Sequence, residues 1–193
     1  MGHRPRPHPD GGRPVRTTPG QTVGPFFGYA LPYAGGADLV AAADPAAVLL
    51  TGRVLDGAGE GVPDALLEIW QADADGRVVR QAGSLHREGF TFTGWGRAAT
   101  DNTGRYRFTT VRPGAPAGGV PFIAMTVFAR GLLDRLFTRV YLPDTAEDAL
   151  LAGLPEDRRR TLIATEDGRR LQFDVRLQGP DETVFLRYPG SDE

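Results

Sequence analysis

The amino-acid sequence predicts an all-β fold, an antiparallel or mixed β-sandwich with short helices and an extended N-terminal arm. Residues 105–110 (RYRFTT) alternate strictly, with Tyr106 and Phe108 on one face and arginines on the other. Residues 171–178 (LQFDVRLQ) alternate in the same way. Turn sequences rich in Asp, Asn and Gly recur at short intervals between such segments, as is typical of antiparallel strands.

The first 47 residues precede the predicted sandwich. Residues 1–19 are rich in Pro, Gly and Arg and are predicted to be disordered. Residues 20–33 carry four aromatic side chains among Gly and Pro, a composition that excludes a helix. The segment is nevertheless too apolar to remain exposed to solvent. We therefore expect an extended arm over residues 20–47, packed on this domain or on a partner, and the sandwich over residues 48–193.

The strands of the sandwich are predicted from short apolar or alternating runs that end at turns such as DGAGEG, ADADG and DNTG. They span residues 48–55, 65–71, 96–100, 105–110, 123–128, 139–142, 171–178 and 183–188. Two short helices form a surface excursion before the seventh strand. The first, 146–154, begins after a cap at Asp144 and Thr145, and the second, 155–163, has Pro155 in its first turn.

Composition excludes several classes of function. The 193 residues are 40% hydrophobic and 24% charged, with a net charge of −2, as in a globular domain. All 22 basic residues are arginines, scattered and balanced by 24 acidic residues, which argues against a nucleic-acid partner. The absence of cysteine excludes disulfides and thiol chemistry. No apolar run has membrane length and no signal-peptide core occurs near the start, so we expect a cytoplasmic protein.

Few residues offer catalytic chemistry. His86 is the only histidine of the predicted sandwich, and a lone histidine in a loop is typically a solvated surface residue. A Ser-His-acid triad and a histidine-based metal site are therefore not predicted. Asp64 and Glu68 are expected to pair with arginines or to cap turns. Trp70 and Trp95 are expected in the core or in an interface.

The most apolar stretch, residues 120–129, ends at Arg130-Gly131. From the residues alone, Arg130 is either the point at which the strand meets solvent or a cation placed to hold a negative group.

Five segments, in this order, resemble the intradiol aromatic-ring dioxygenases. They are QTVGPFF, LTGRVLDGAGEGVPDALLEIWQADADG, GRAATDNTGRYRFTTVRPG, FARG…TRVYLPD and LQFDVRLQGPDETVFLRY. Together they cover nearly everything from residue 18 to residue 188. The FARG and LQGPDETVF motifs are similar to the α subunits, rather than the β subunits, of the two-subunit enzymes in this family.

The resemblance implies that this chain binds no metal. The β subunits of the family hold Fe(3+) with two tyrosines and two histidines. The matching positions here are Val78, Pro116, Phe122 and Ala124, which offer no phenolate or imidazole. The resemblance therefore implies an iron-bearing β subunit as partner and a higher-order oligomer of αβ pairs.

The resemblance also implies a substrate-binding role. Arg130 and the arm residues Thr22, Gly24 and Pro25 match α positions that line the substrate pocket beside the iron of the β subunit. The implied substrate is protocatechuate, a small aromatic acid, which O2 cleaves between its two hydroxyls to 3-carboxy-cis,cis-muconate in the β-ketoadipate pathway. A guanidinium is suited to bind its carboxylate.

Two alternatives remain at this stage. A non-catalytic, transthyretin-like β-sandwich binding module shares the strand pattern, but such modules are shorter and lack the aromatic arm and the C-terminal β return. A self-sufficient intradiol dioxygenase conflicts with the four replaced ligand positions.

Overall fold

The structure, a computed structural model, describes residues 27–80, 90–146 and 148–188. Within these ranges it contains nine strands in two sheets and three short helices. The strands are β1 (Ala47–Leu55), β2 (Leu66–Gln71), β3 (Trp95–Ala99), β4 (Arg105–Val111), β5 (Phe122–Phe128), β6 (Leu136–Tyr141), β7 (Thr165–Asp167), β8 (Arg170–Gln172) and β9 (Val175–Arg176). The helices are α1 (Phe27–Ala30), α2 (Ala149–Ala152) and α3 (Glu156–Arg159), and a 3₁₀ turn (Arg160–Leu162) follows α3.

The two sheets form the predicted β-sandwich. One sheet has the order β4-β1-β8-β7, with β9 pairing farther along β1. Strand β1 is antiparallel to β4 but parallel to β8 and β9, so this sheet is mixed. The other sheet has the order β3-β2-β5-β6 and is antiparallel throughout. The predicted all-β class is confirmed.

Alternation along the strands builds the core between the sheets. In β5 every second residue is buried, beginning with Ile123, while the residues between them face outward. The same holds in β4, where Tyr106 and Phe108 are buried and the arginines are exposed. One buried cluster joins both sheets; its members include Leu50, Val54, Leu67, Ile69, Phe108, Met125, Val127, Val140 and Leu171.

The N-terminal segment departs from its prediction at one point. Residues 27–30 form one helical turn, closed by the Leu31 N–H donating to the Phe27 carbonyl at 3.1 Å, although the composition was expected to exclude a helix. The turn ends before Pro32, because a residue that precedes proline disfavours helical geometry. The chain then packs on this domain, with Leu39 buried in the core.

The helical excursion is shorter than predicted. Asp148, not Asp144 or Thr145, caps α2: its Oδ1 accepts from the Leu151 N–H at 2.9 Å. Leu151 and Leu162 are buried against Tyr141 in a second small cluster. Helix α2 and the turn after α3 therefore cover the outward face of β6 at its end.

The C-terminal prediction is wrong in detail. The single strand expected over 171–178 is interrupted between β8 and β9. At this point side-chain hydrogen bonds replace regular pairing with β1. The Phe173 carbonyl accepts from the Tyr106 hydroxyl at 2.6 Å, and Asp174 Oδ1 accepts from the Arg53 N–H at 2.9 Å. The strand expected over 183–188 is reduced to one bridge, between Phe137 and Leu186.

Candidate functional site

Arg130 lies just beyond the end of β5, where a buried strand reaches the surface. Ala129 is fully buried, whereas the side chain of Arg130 is 56% exposed. Gly131 follows with a φ of 87°, a left-handed conformation that is easily adopted only without a side chain. The sequence Ala-Arg-Gly therefore ends the strand in a turn, with the guanidinium at its rim.

Among the described residues, Arg130 forms one ion pair, with Asp64. Its Nη2 lies 3.2 Å from Asp64 Oδ2. Because a guanidinium carries five N–H donors, this pair leaves donors for a second acidic group. The arginine pairing expected for Asp64 is confirmed, as is that of Glu68, whose Oε1 lies 2.6 Å from Arg97 Nη2.

Asp64 also connects Arg130 to the N-terminal segment. Its φ of 63° makes it the one non-glycine residue with a positive φ in the described part of the chain. A Cβ placed on Gly28 of α1 would lie 3.5 Å from the Asp64 Cβ, so the two residues are neighbours with room for a methyl group between them. Thr22, Gly24 and Pro25, the arm residues predicted to line the pocket, lie outside the described residues.

Two of the four positions that match iron ligands lie in loops that pack on each other. Val78 is exposed in the loop after β2, and Pro116 lies in the loop between β4 and β5. The Gly114 N–H donates to the Asp73 carbonyl at 2.8 Å, and a Cβ on Gly76 would lie only 2.0 Å from the Ala115 carbonyl oxygen. Neither position carries a metal-binding group.

The other two positions, Phe122 and Ala124, lie on the outward face of β5, opposite Tyr141 and Arg139 of β6. The guanidinium carbon of Arg139 lies 4.2 Å from the centroid of the Phe122 ring. The Tyr141 hydroxyl donates to Asp148 Oδ2 at 2.8 Å, and Arg139 Nη1 lies 3.2 Å from the same oxygen. An aromatic ring and a closed hydrogen-bond network therefore fill this face.

These groups do not fit a ferric ion. Val, Pro, Phe and Ala offer no donor atom, and the guanidinium of Arg139 disfavours a second cation nearby. Burial raises the pKa of Tyr141 to about 12, and its hydroxyl is engaged with Asp148. Throughout residues 27–80, 90–146 and 148–188, no three His, Cys, Asp or Glu side chains converge as a metal site. His86 lies in residues 81–89, outside the described ranges.

Arg130 and this face are far apart, because they lie towards opposite ends of β5. Ala124 and Phe128 are separated by four residues of strand, which span about 13 Å at about 3.3 Å per residue, and Arg130 lies two residues beyond the end of the strand. A single benzene ring with a carboxylate is much shorter than this. A molecule held by Arg130 therefore cannot also reach the Phe122–Ala124 face of the same chain.

Sequence reasoning missed the network of Arg139, Tyr141 and Asp148. Alternation in β6 indicates that Arg139 and Tyr141 share a face, but only the chain path after β6 returns Asp148 to them. Trp70 is 45% exposed on β2 and is not part of the core, so its place in an interface stays a prediction. Trp95 is half-buried and stacks on Tyr33, with ring centroids 6.3 Å apart.

Comparisons with known proteins agree with this architecture. A family model described as Dioxygenase matches residues 24–118. The protocatechuate 3,4-dioxygenase alpha chain of Burkholderia cepacia is 44% identical over 89% of this chain and 98% of its own length. The beta chain from the same organism is 39% identical over 72% of this chain and 68% of its own length.

A solved structure shows the same fold at low sequence identity. An intradiol ring-cleavage dioxygenase from Tetranychus urticae superposes with a TM-score of 0.53 and is 16% identical, with 77% of this chain and 88% of that one covered. Family membership itself rests on the sequence relatives, at 44% and 39% identity over most of the chain. The chain therefore belongs to the intradiol dioxygenases, which are iron-dependent, and within them to the family of the protocatechuate 3,4-dioxygenase alpha chains.

Proposed function

We propose that this chain is the subunit of a protocatechuate 3,4-dioxygenase that binds no iron and walls the substrate pocket of an iron-bearing β subunit. The assembled enzyme cleaves the bond between the two hydroxyl-bearing carbons of protocatechuate. Both atoms of O2 enter the product, 3-carboxy-cis,cis-muconate. Bound Fe(3+) supplies the oxygen chemistry from the β subunit, and this chain supplies binding groups.

The separation of Arg130 from the Phe122–Ala124 face carries this proposal. About 13 Å of strand and the start of the following turn lie between them, and the Phe122–Ala124 face offers no iron ligand. An iron that acts on a ring bound at Arg130 must therefore belong to another chain. Relatives of both kinds, an alpha chain and a beta chain, support an αβ complex.

Arg130 is the group we assign to the substrate carboxylate. Its side chain is more than half exposed, and among the described residues its one ion pair is with Asp64, so the guanidinium can donate to a second carboxylate. A charge-assisted hydrogen bond of this kind contributes about 1.5–3 kcal/mol. This corresponds to about tenfold to a hundredfold in affinity and favours protocatechuate over catechol, which lacks the carboxylate.

The arm residues Thr22, Gly24 and Pro25 complete the wall in this proposal. Their assignment rests on the family motif QTVGP. It is supported by the position of Gly28 of α1, which lies beside Asp64, the partner of Arg130. Glycine and proline at these positions would let the backbone approach the ring closely.

We further propose that αβ pairs assemble into a higher-order oligomer in the cytoplasm. The exposed Trp70 on the outward face of β2 suits a protein interface. Among the helices in the described part of the chain, none is long and apolar enough to cross a membrane.

The first experiment replaces Arg130 in the complex co-expressed with its β chain. Arg130→Ala should raise KM for protocatechuate about tenfold to a hundredfold, because it removes the carboxylate partner. Iron content should stay unchanged. With catechol as substrate the same variant should leave KM nearly unaffected, since no carboxylate is present.

Arg135→Ala is the matched control. Arg135 is also exposed, but its guanidinium carbon lies over the ring of Phe137, 5.0 Å from the centroid, whereas Asp64 pairs with Arg130. It should leave KM for protocatechuate within about twofold. An unchanged KM in Arg130→Ala, or an equal increase for catechol, would contradict the assignment of Arg130 to the carboxylate.

A further inference from the structure

A cavity of about 640 Å³ lies outside the core, on the outward face of the mixed sheet. One wall is the N-terminal segment from Pro32 to Asp38, another is formed by Arg97–Ala99 of β3 in the other sheet, and the floor is formed by residues of β1, β4 and β8. Its volume is within the range of small-ligand sites, about 300–1,000 Å³. Neither Arg130 nor Asp64 lines it.

Arginines from neighbouring strands converge on the floor of this cavity. Arg53 of β1 lies directly opposite Arg105 of β4 in the strand register. Arg107 lies opposite Thr51, which makes it a diagonal neighbour of Arg53, about 7–8 Å away at Cα. Arg170 adds a fourth guanidinium from β8. Like charges placed directly opposite each other destabilise a sheet unless an anion compensates them.

The described residues compensate these arginines only in part. Asp101 interacts electrostatically with Arg105, and Arg53 Nε donates to the Thr103 carbonyl at 3.2 Å. None of the ion pairs within the described ranges involves Arg53, Arg105, Arg107 or Arg170. The three aspartates that line the cavity are engaged with other donors. They are Asp38, which accepts from the Thr109 hydroxyl, Asp101, which accepts from Thr103 and from the Arg105 N–H, and Asp174, which accepts from the Arg53 N–H.

A buried hydroxyl in the cavity wall provides a second, independent observation. The Tyr33 hydroxyl is buried and finds no hydrogen-bond partner among the described residues. The ring of Tyr33 lies parallel to that of Trp95, at an interplanar angle of 5°. A buried hydroxyl without a partner costs free energy. Because this hydroxyl has almost no accessible surface, a ligand in the cavity would accept its hydrogen bond after a small shift of the Tyr33 side chain.

We propose that this cavity binds a small anion with two or more acidic groups, a di- or tricarboxylate or a phosphate compound. Arg53, Arg105 and Arg107 bind one acidic group, and Arg170, from the far side of β1, binds another. The Tyr33 hydroxyl donates to the same ligand. Arg170 lies opposite Leu49, four residues from Arg53 along β1, or about 13 Å at about 3.3 Å per residue, so two separate acidic groups suit these positions better than one carboxylate.

The test is isothermal titration calorimetry of the full-length chain at low ionic strength. Citrate represents a tricarboxylate, inorganic phosphate a phosphate, and benzoate a monovalent carboxylate. We expect citrate or phosphate to bind with one site per chain, and benzoate to bind at least tenfold more weakly. Whether citrate or phosphate binds more tightly identifies the acidic group that the site prefers.

Variants locate the binding. Arg107→Gln should weaken the binding of the preferred anion about tenfold, through loss of charge-assisted hydrogen bonds. Tyr33→Phe, which keeps the ring and removes only the hydroxyl, should weaken the binding of this anion about fivefold. Arg135→Gln removes an exposed arginine outside the cavity and should have no effect.

Three results would overturn the proposal. One is the absence of binding by both citrate and phosphate at millimolar concentration. Another is an equal loss of affinity in Arg135→Gln and Arg107→Gln, which would indicate non-specific attraction to arginines. The third is unchanged affinity in both Arg107→Gln and Tyr33→Phe while thermal unfolding shows that these variants are folded.

Discussion

Asp64 has two roles at the residue scale, and they can be separated. Its carboxylate pairs with Arg130, and its backbone adopts a left-handed conformation with a φ of 63°. Both partners of the ion pair are substantially exposed, so the pair itself contributes little to stability. The backbone conformation is the larger constraint, because few residues other than Gly, Asn and Asp adopt it at low cost.

Substitution at Asp64 should therefore depend on backbone tolerance more than on charge. Asp64→Ala should lower the free energy of unfolding by about 1–2 kcal/mol, whereas Asp64→Asn should change it by less than about 0.5 kcal/mol, since asparagine tolerates the left-handed region. Urea denaturation of both variants measures the difference. Equal losses in the two variants would assign the effect to the ion pair instead.

Tyr141 provides a pH-dependent contribution to stability. Burial is the main reason that its pKa is raised, to about 12, and donation to Asp148 adds to the shift. Because the folded pKa lies above the unfolded value of 10.0, this stabilisation is complete below about pH 10 and is lost as the pH rises through about 12. In Tyr141→Phe the loss of stability between pH 10 and 12 should be smaller.

Absorbance of tyrosinate follows this ionisation directly. The absorbance increase assigned to Tyr141, the part missing in Tyr141→Phe, should appear only near pH 12. A titration in which Tyr141→Phe already lacks one tyrosinate below pH 11 would contradict the raised pKa.

Strand β1 organises the mixed sheet at the element scale, and Gly52 makes its pairing possible. A Cβ at this position would lie 1.7 Å from the Phe173 carbonyl oxygen and 2.9 Å from the Tyr106 hydroxyl oxygen. The same carbonyl accepts the hydrogen bond of Tyr106 at 2.6 Å. Because Gly52 has no side chain, the segment between β8 and β9 can pass close to β1.

Gly52→Ala should disrupt this crossing. The added methyl group must displace a backbone carbonyl, which we expect to cost about 2–3 kcal/mol in the free energy of unfolding. Gly28→Ala is the matched control, because a Cβ there meets only ordinary contacts, the nearest at 3.5 Å. Denaturation curves that show similar losses for the two variants would contradict the steric account.

The two ends of β5 have different roles in the whole molecule. The Phe122–Ala124 end is closed by Arg139, Tyr141 and Asp148, whereas Arg130, just beyond the other end, is more than half exposed and pairs with Asp64. The closed end offers no iron ligand, and the guanidinium of Arg130 is suited to a substrate carboxylate. These features agree with the proposed division of one active site between two homologous chains.

Iron analysis of the chain purified alone tests this division. We expect less than one ferric ion per ten chains and no visible absorption from a tyrosinate–iron bond, because the four matching positions offer no donor. The complex with its β chain should contain iron. Stoichiometric iron in the chain alone, with a tyrosinate band, would require a ligand set outside the described residues.

Prediction from sequence was accurate where strands are long and alternate clearly. The predicted β1, β2, β4 and β5 match the structure to within one residue at each end, because alternation reports burial directly. It was less accurate after residue 163, where β7 was missed and the last strand is a single bridge. There the side chains of Asp174 and Thr183 bond to backbone groups, in competition with regular pairing.

The sequence by itself determined the sandwich, the replacement of the ligand positions and the resemblance that singles out Arg130. These properties reside in alternation and in residue identity, which are local. Tertiary structure alone decided that Asp64 joins Arg130 to α1, that Asp148 closes the network at Tyr141, and that arginines of β1, β4 and β8 line one cavity with Tyr33. Each of these contacts joins residues brought together by chain crossings or strand register, which no local pattern encodes.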